Sequence, residues 1–226
     1  MSFIFNLALG IVCGCFSLLL SGCETVSKVE QMQEGHQQPW HGSKSFALSP
    51  LAFEVGYTSL EAHANYLSLV TPFLPVLELK NNLEKHLGRN LLSRGEAHIT
   101  VITPPEFDEL KAHLSMQDIQ NVAVPQSSFF DFGKPRFKEL EPVCVGRGLA
   151  QIDSQQEETY FVVVKAESLL DIRRRIFNLY VARGGDGSRF SPDSFFPHIT
   201  IGFTKSDIHE QQGVKKGINS CLFRLH

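Results

Sequence analysis

The sequence predicts an α+β fold built from two related halves, and three observations carry that expectation. His98-Ile99-Thr100-Val101 returns one hundred residues later as His198-Ile199-Thr200-Ile201. Each tetrapeptide lies in a strand-like run, 97–103 or 196–203, and each follows a strand and a helix, the strands being 66–70 and 160–165. From Tyr66 to His98 is 32 residues, and from Tyr160 to His198 is 38. Such self-similarity marks an internal duplication. It sets the two tetrapeptide strands across a cleft, about a pseudo-twofold axis.

Strand geometry sorts these residues by face. Successive side chains alternate, so His98 and Thr100 share one face while Ile99 and Val101 share the other. The same holds for His198 and Thr200 against Ile199 and Ile201. The apolar pair suits a core and the polar pair a cleft. One such strand is ordinary; two near-identical copies in matching surroundings are not.

Residues 1–22 carry no charged side chain, and 3–20 are apolar save Asn6 and Ser17. Small residues follow where a peptidase would cut, as in a secretory signal. Leu20-Ser21-Gly22-Cys23 resembles a bacterial lipobox. That implies removal of 1–22, a lipid on Cys23, and a lipoprotein facing the periplasm, on the outer membrane rather than the inner. The same run is also just long enough for an uncleaved transmembrane anchor. Either way a membrane is an expected partner. Residues 23–45, rich in Gln, Ser, Glu and Gly, read as a flexible tether. That leaves 46–226 for one domain of two lobes, about 60–115 and about 155–210.

Within the domain, 51–57 and 66–70 suit strands. Thr71-Pro72 marks a helix start, the threonine capping and the proline in the first turn. Phe73, Leu74, Leu77, Leu83 and Leu87 give that helix its stripe, and Gly88 its end. A polar loop, 89–96, feeds the first tetrapeptide strand; Pro104-Pro105 stops it, and 106–114 form a short helix. Residues 115–140 show no clear period, although Phe129, Phe130, Phe132 and Phe137 suggest β structure around Gly133. Runs 143–152 and 159–166 read as a hairpin with 153–158 as its loop. The clearest helix spans 167–183, with Leu169, Leu170, Ile172, Ile176, Phe177, Leu179 and Tyr180 on its apolar side. Arg173, Arg174 and Arg175 read as its solvated face. Gly184-Gly185-Asp186-Gly187 lacks both the spacing and the lysine of a phosphate cradle. The second tetrapeptide strand, a short polar helix near Ser206 and a last strand over 218–224 complete the chain.

A net charge of −3 argues against a broad basic nucleic-acid surface, so any nucleotide would be held locally. Processing would remove Cys13 and Cys15 and lipidate Cys23. Cys144 and Cys221 then remain, to pair in an oxidising compartment or to stay as buried thiols. No Cys/His spacing matches a zinc site, and neither metal nor cofactor is expected.

Histidine titrates near pH 6.5, so it serves as base or as acid near neutrality. His98 and His198, facing one cleft, can divide those roles and are the candidate catalytic residues. Thr100 and Thr200 can donate to phosphate oxygens, and Arg94 and Arg189, in the loops entering the two strands, can grip phosphate. Tyr66, Phe195 and Phe196 suit either base stacking or core packing. His36, His41, His63, His86, His113, His209 and His226 have no ligand spacing and read as surface residues.

The two tetrapeptides, the second preceded by Pro197, resemble the paired H-x-[ST]-x motifs of the two-histidine (2H) phosphoesterase superfamily. The resemblance spans roughly residues 60 to 205 and is nearest to RNA-repair-like and cyclic-phosphodiesterase members. It implies a pseudo-twofold bilobal fold, two antiparallel sheets flanking a cleft with helices outside. It also implies metal-independent hydrolysis of 2′,3′-cyclic phosphate ends of RNA or small nucleotides, by a monomer. A second class stays open: a membrane-tethered nucleotide- or RNA-binding module without turnover.

Overall fold

The structure, a computed structural model, describes residues 44–53, 58–124 and 140–226. The signal segment, Cys23, the tether up to residue 43 and the phenylalanines around Gly133 lie outside them.

Two β-α-β units repeat as expected, each preceded by one more strand. In the first, β2 (Ser59–Ala62) turns back as β3 (Leu67–Thr71), α1 (Phe73–Leu87) follows, and β4 (Ala97–Ile102) pairs antiparallel with β3. In the second, β5 (Leu140–Ile152) and β6 (Gln155–Ala166) form the hairpin, α4 (Glu167–Ala182) follows, and β7 (His198–Phe203) pairs with β6. α2 (Pro104–Leu110) and α3 (Met116–Ala123) follow the first unit. β8 (Cys221–Leu225) lies on β5, and β1 (Ser45–Phe46) runs parallel to β8.

The result is one eight-stranded sheet, ordered β1-β8-β5-β6-β7-β4-β3-β2, rather than two sheets flanking a cleft. The two tetrapeptide strands are antiparallel neighbours with Ile99 opposite Ile199. Both isoleucines are fully buried and share one core with Leu79, Leu83, Leu110, Ile119, Ile172 and Ile176 from the four helices. Joining β4 to β7 closes two edges that separate sheets would leave unpaired. The helices also cross over. α1 packs against β7 and α4 against β4, so each covers the other half's tetrapeptide strand.

Local chemistry explains most boundaries. Gly88 takes the left-handed conformation (φ 65°) that ends α1. Thr71 does not cap that helix: it pairs with Ala97 as the last residue of β3, and Pro72 holds the cap position. Thr103 and Glu106 form a reciprocal capping box, so Pro104-Pro105 open α2 as well as stopping β4. Ser115 and Asp118 do the same for α3, in a stretch without a readable period. The β5–β6 turn shrinks to Asp153-Ser154, both at positive φ, in place of a six-residue loop. Residues Pro50–Phe53 form a 3-10 turn where the strand over 51–57 was expected to begin, the rest of that run lying outside the described residues, and the polar helix near Ser206 is a 3-10 turn at Glu210–Gln212. The last strand starts at Cys221, after another 3-10 turn, and a disulfide joins Cys221 to Cys144 of β5.

Arg173 is the largest correction, since its side chain is only 1% exposed. It sits on the buried stripe of α4 with Leu169, Ile172, Ile176 and Tyr180, at helical spacing. Its guanidinium donates to Glu106 (2.6 and 3.1 Å) and to the carbonyls of Val101, Ser191, Pro192 and Ser194. Buried charge is tolerated when paired and fully hydrogen-bonded, which is the case here. Arg174 and Arg175 are exposed, as expected.

Candidate active site on the open face of the sheet

Continuing the Ile99–Ile199 register by one residue each way sets His98 opposite Thr200 and Thr100 opposite His198. Ile99 and Ile199 point into the helix-covered core, so alternation puts these four side chains on the opposite face. All four are half-buried. The pseudo-twofold axis passes through the isoleucine pair and exchanges one His–Thr couple for the other.

The loop before β4 completes the site from the first half. Leu92 exchanges backbone hydrogen bonds with Phe203 at 2.9 and 3.0 Å, pinning this loop to the end of β7. The approach needs Gly202, where a Cβ would meet the Leu92 carbonyl oxygen at 2.8 Å. Arg94, Glu96, His98 and Thr200 thereby line one pocket.

Asp207, seven residues beyond Thr200, is the hub that sequence reading missed. It accepts from Lys216 Nζ (2.6 Å), Thr159 Oγ1 (2.9 Å), Thr200 Oγ1 (3.1 Å) and Arg94 Nη2 (3.1 Å). Asp207 and Lys216 expose only 4% and 2% of their side chains. Burial works to raise the Asp207 pKa, but Lys216, His209 and Thr159 outweigh it and hold the carboxyl below the usual range. Burial lowers the Lys216 pKa, opposed by Asp207. No residue spacing advertises this cluster, because Lys216 arrives only when the chain returns toward β8.

The two histidines differ in their surroundings. His198 Nδ1 donates to the Phe196 carbonyl at 2.7 Å, and its ring meets Phe161 edge-on at 5.7 Å. Burial, then the Lys216 charge, push its pKa well below the ordinary histidine value. His98 Nδ1 lies 3.5 Å from Glu96 Oε1. Burial lowers its pKa too, with Glu96 opposing and Arg94 and His63 reinforcing.

Two histidines read as surface residues belong to the rim instead. His63 stacks on Tyr66 at 4.0 Å, and the tyrosine ring is 6.4 Å from His98. His209 accepts from Arg94 at 3.3 Å. Arg189 is not brought to the pocket. It pairs with Glu109 of α2 through two hydrogen bonds (2.8 and 2.9 Å), because Arg173 ties the loop before β7 down beside the helices. Phe195 packs against the core beneath the Arg173 guanidinium, and Phe196 lies under Lys215. Among the described residues no three His, Cys, Asp or Glu side chains converge as metal ligands.

A family model described as "Swiss Army Knife, 2H phosphoesterase domain" matches residues 65–209, a span that holds both tetrapeptides, Arg94 and Asp207. Its description names the superfamily without the RNA-repair or cyclic-phosphodiesterase label. Searches of curated proteins and of solved structures found no match.

Proposed function

The chain belongs to the Swiss Army Knife 2H phosphoesterases, and from that premise we propose that it is a metal-independent phosphodiesterase acting on 2′,3′-cyclic phosphate ends of RNA or small nucleotides. The observation that carries this reading is the Ile99–Ile199 pairing, whose register sets His98 and Thr200, which line one pocket, and His198 and Thr100 on the face of the sheet away from the helices.

A hydrogen bond on one ring and a carboxylate beside the other support a division of roles. His198 donates from Nδ1 to a carbonyl, which leaves the lone pair on Nε2, and its lowered pKa keeps it neutral. It is the general base that takes a proton from water. His98 has its pKa lowered by burial, which the Glu96 carboxylate beside it partly offsets, and it takes the role of general acid. The water oxygen bonds to phosphorus, one ester P–O bond breaks, and the leaving oxygen takes the His98 proton. Thr100 and Arg94 donate to the non-bridging oxygens as charge builds there. Tyr66, stacked on His63 at the rim, offers a face for a base. A lipid on Cys23 anchors the domain to a membrane facing the periplasm. Cys23→Ser should then take up no labelled fatty acid.

The test is an assay of nucleoside 2′,3′-cyclic phosphates with and without chelator. Turnover should survive chelation, and His98→Ala and His198→Ala should each lose about 10²–10⁴-fold. The double variant should lose less than the product of the two, since both groups act in one transition state. Binding without turnover, or activity only with added metal, overturns the reading.

A further inference from the structure

The acid–base scheme gives no part to Asp207, a buried carboxylate that bonds two residues lining a pocket that has to accept an anion. An unpaired negative charge there would repel the substrate. Lys216 neutralises it at 2.6 Å, and the other donors come from both halves: Arg94 from the first, Thr159 and Thr200 from the second. We propose that Asp207, neutralised by Lys216, is a positioning residue that orients Arg94 and Thr200 and so gives the phosphodiester one direction in an otherwise twofold-symmetric cleft.

The symmetry makes such a device necessary. The axis exchanges the couple His98–Thr200 with the couple His198–Thr100, so an undecorated cleft would accept a diester in either sense. Asp207 accepts a hydrogen bond from one couple only, through Thr200. Thr200 donates its single proton to Asp207 Oδ2 and therefore faces the cleft as an acceptor. Thr100 is not among the donors to Asp207, which leaves its proton for a phosphate oxygen. Arg94 donates to Oδ2 from Nη2 alone, which leaves the rest of its fork for the anion. One end of the cleft thus presents a cation and an acceptor, the other a donor. A cyclic phosphate has two unlike ester oxygens, and its orientation decides which P–O bond breaks.

This inference rests on the phosphodiesterase reading, and the experiment separates the two. The full chain and Asp207→Asn/Lys216→Met, which removes both ends of the buried pair, are given uridine 2′,3′-cyclic phosphate. The wild type is expected to release one monophosphate isomer, and the variant a mixture of the 2′ and 3′ products. KM should rise about tenfold, as for loss of one hydrogen bond to a charged group, and kcat should fall as well, since Arg94 also meets the charge that builds in the transition state. Thr200→Val keeps the buried pair and should also mix the isomers. In a Thr200→Val/Arg94→Met background the Asp207/Lys216 change should add no further rise in KM. An unchanged isomer ratio, or an undiminished cost in that background, overturns the proposal, because a merely structural prop would behave so. A wild type that does not hydrolyse the diester removes the functional reading instead. Positioning is then decided by the same variants titrated with inorganic phosphate, where an equal loss of affinity in both backgrounds overturns it.

Discussion

A histidine taken out of water loses more as a cation than as a neutral ring, and that asymmetry governs both tetrapeptide histidines. Both have pKa values lowered first of all by burial, His198 the more strongly. A base with a lowered pKa stays competent well below pH 6.5. An acid with a lowered pKa loses its proton before pH reaches 6.5. The kcat/KM profile should therefore be a bell with its maximum on the acid side of pH 6.5; a maximum above pH 7 would reverse the assigned causes. The sign for stability runs the same way. Groups buried neutral contribute stability above the unfolded pKa, and it is lost as pH falls below about 6.5. His98, Thr100, His198 and Thr200 were legible because strand alternation is a local rule. Asp207, Lys216 and His209 were not, since Arg94 and Thr159 reach that cluster from distant parts of the chain; His63 was missed although its partner Tyr66 lies only three residues on.

At the scale of elements, two cross-links hold the strands that carry the site. Arg173 reaches from α4 to the end of β4, the start of α2 and the loop feeding β7, through Val101, Glu106, Ser191, Pro192 and Ser194. Arg173→Met strands a carboxylate and four carbonyls, so urea unfolding should show a loss of about 3–5 kcal/mol. Adding Glu106→Leu should recover part of it, because the uncompensated charge is then gone. The disulfide between Cys144 and Cys221 ties β5 to β8, across a separation of 77 residues. Between β7 and that bridge runs the segment bearing Asp207 and Lys216. Reduction should cost about 2–4 kcal/mol, lowering the melting temperature by roughly 5–15 °C. Activity should fall with it, as the segment loses one of its two anchors. Heating scans with and without reductant, paired with turnover, check both.

At the scale of the molecule, duplication did not produce two independent bodies. The halves share one sheet, and each half's helix covers the other's tetrapeptide strand. A fragment spanning 58–124 exposes Ile99, Val101 and the inner face of α1, so it should be unfolded by circular dichroism and amide dispersion; a dispersed spectrum would show that a half stands alone. The sequence by itself determined the repeat, the two His–Thr strands and the faces on which their residues lie, because periodicity and capping act over a few residues. It also carried the family. Only the tertiary structure decided that the strands join in one sheet, that Arg173 is buried while Arg189 pairs with Glu109 away from the cleft, and that Asp207 links both halves. Those outcomes depend on which apolar edges close on one another and which charges must then find partners, and such choices are made between segments, not within them.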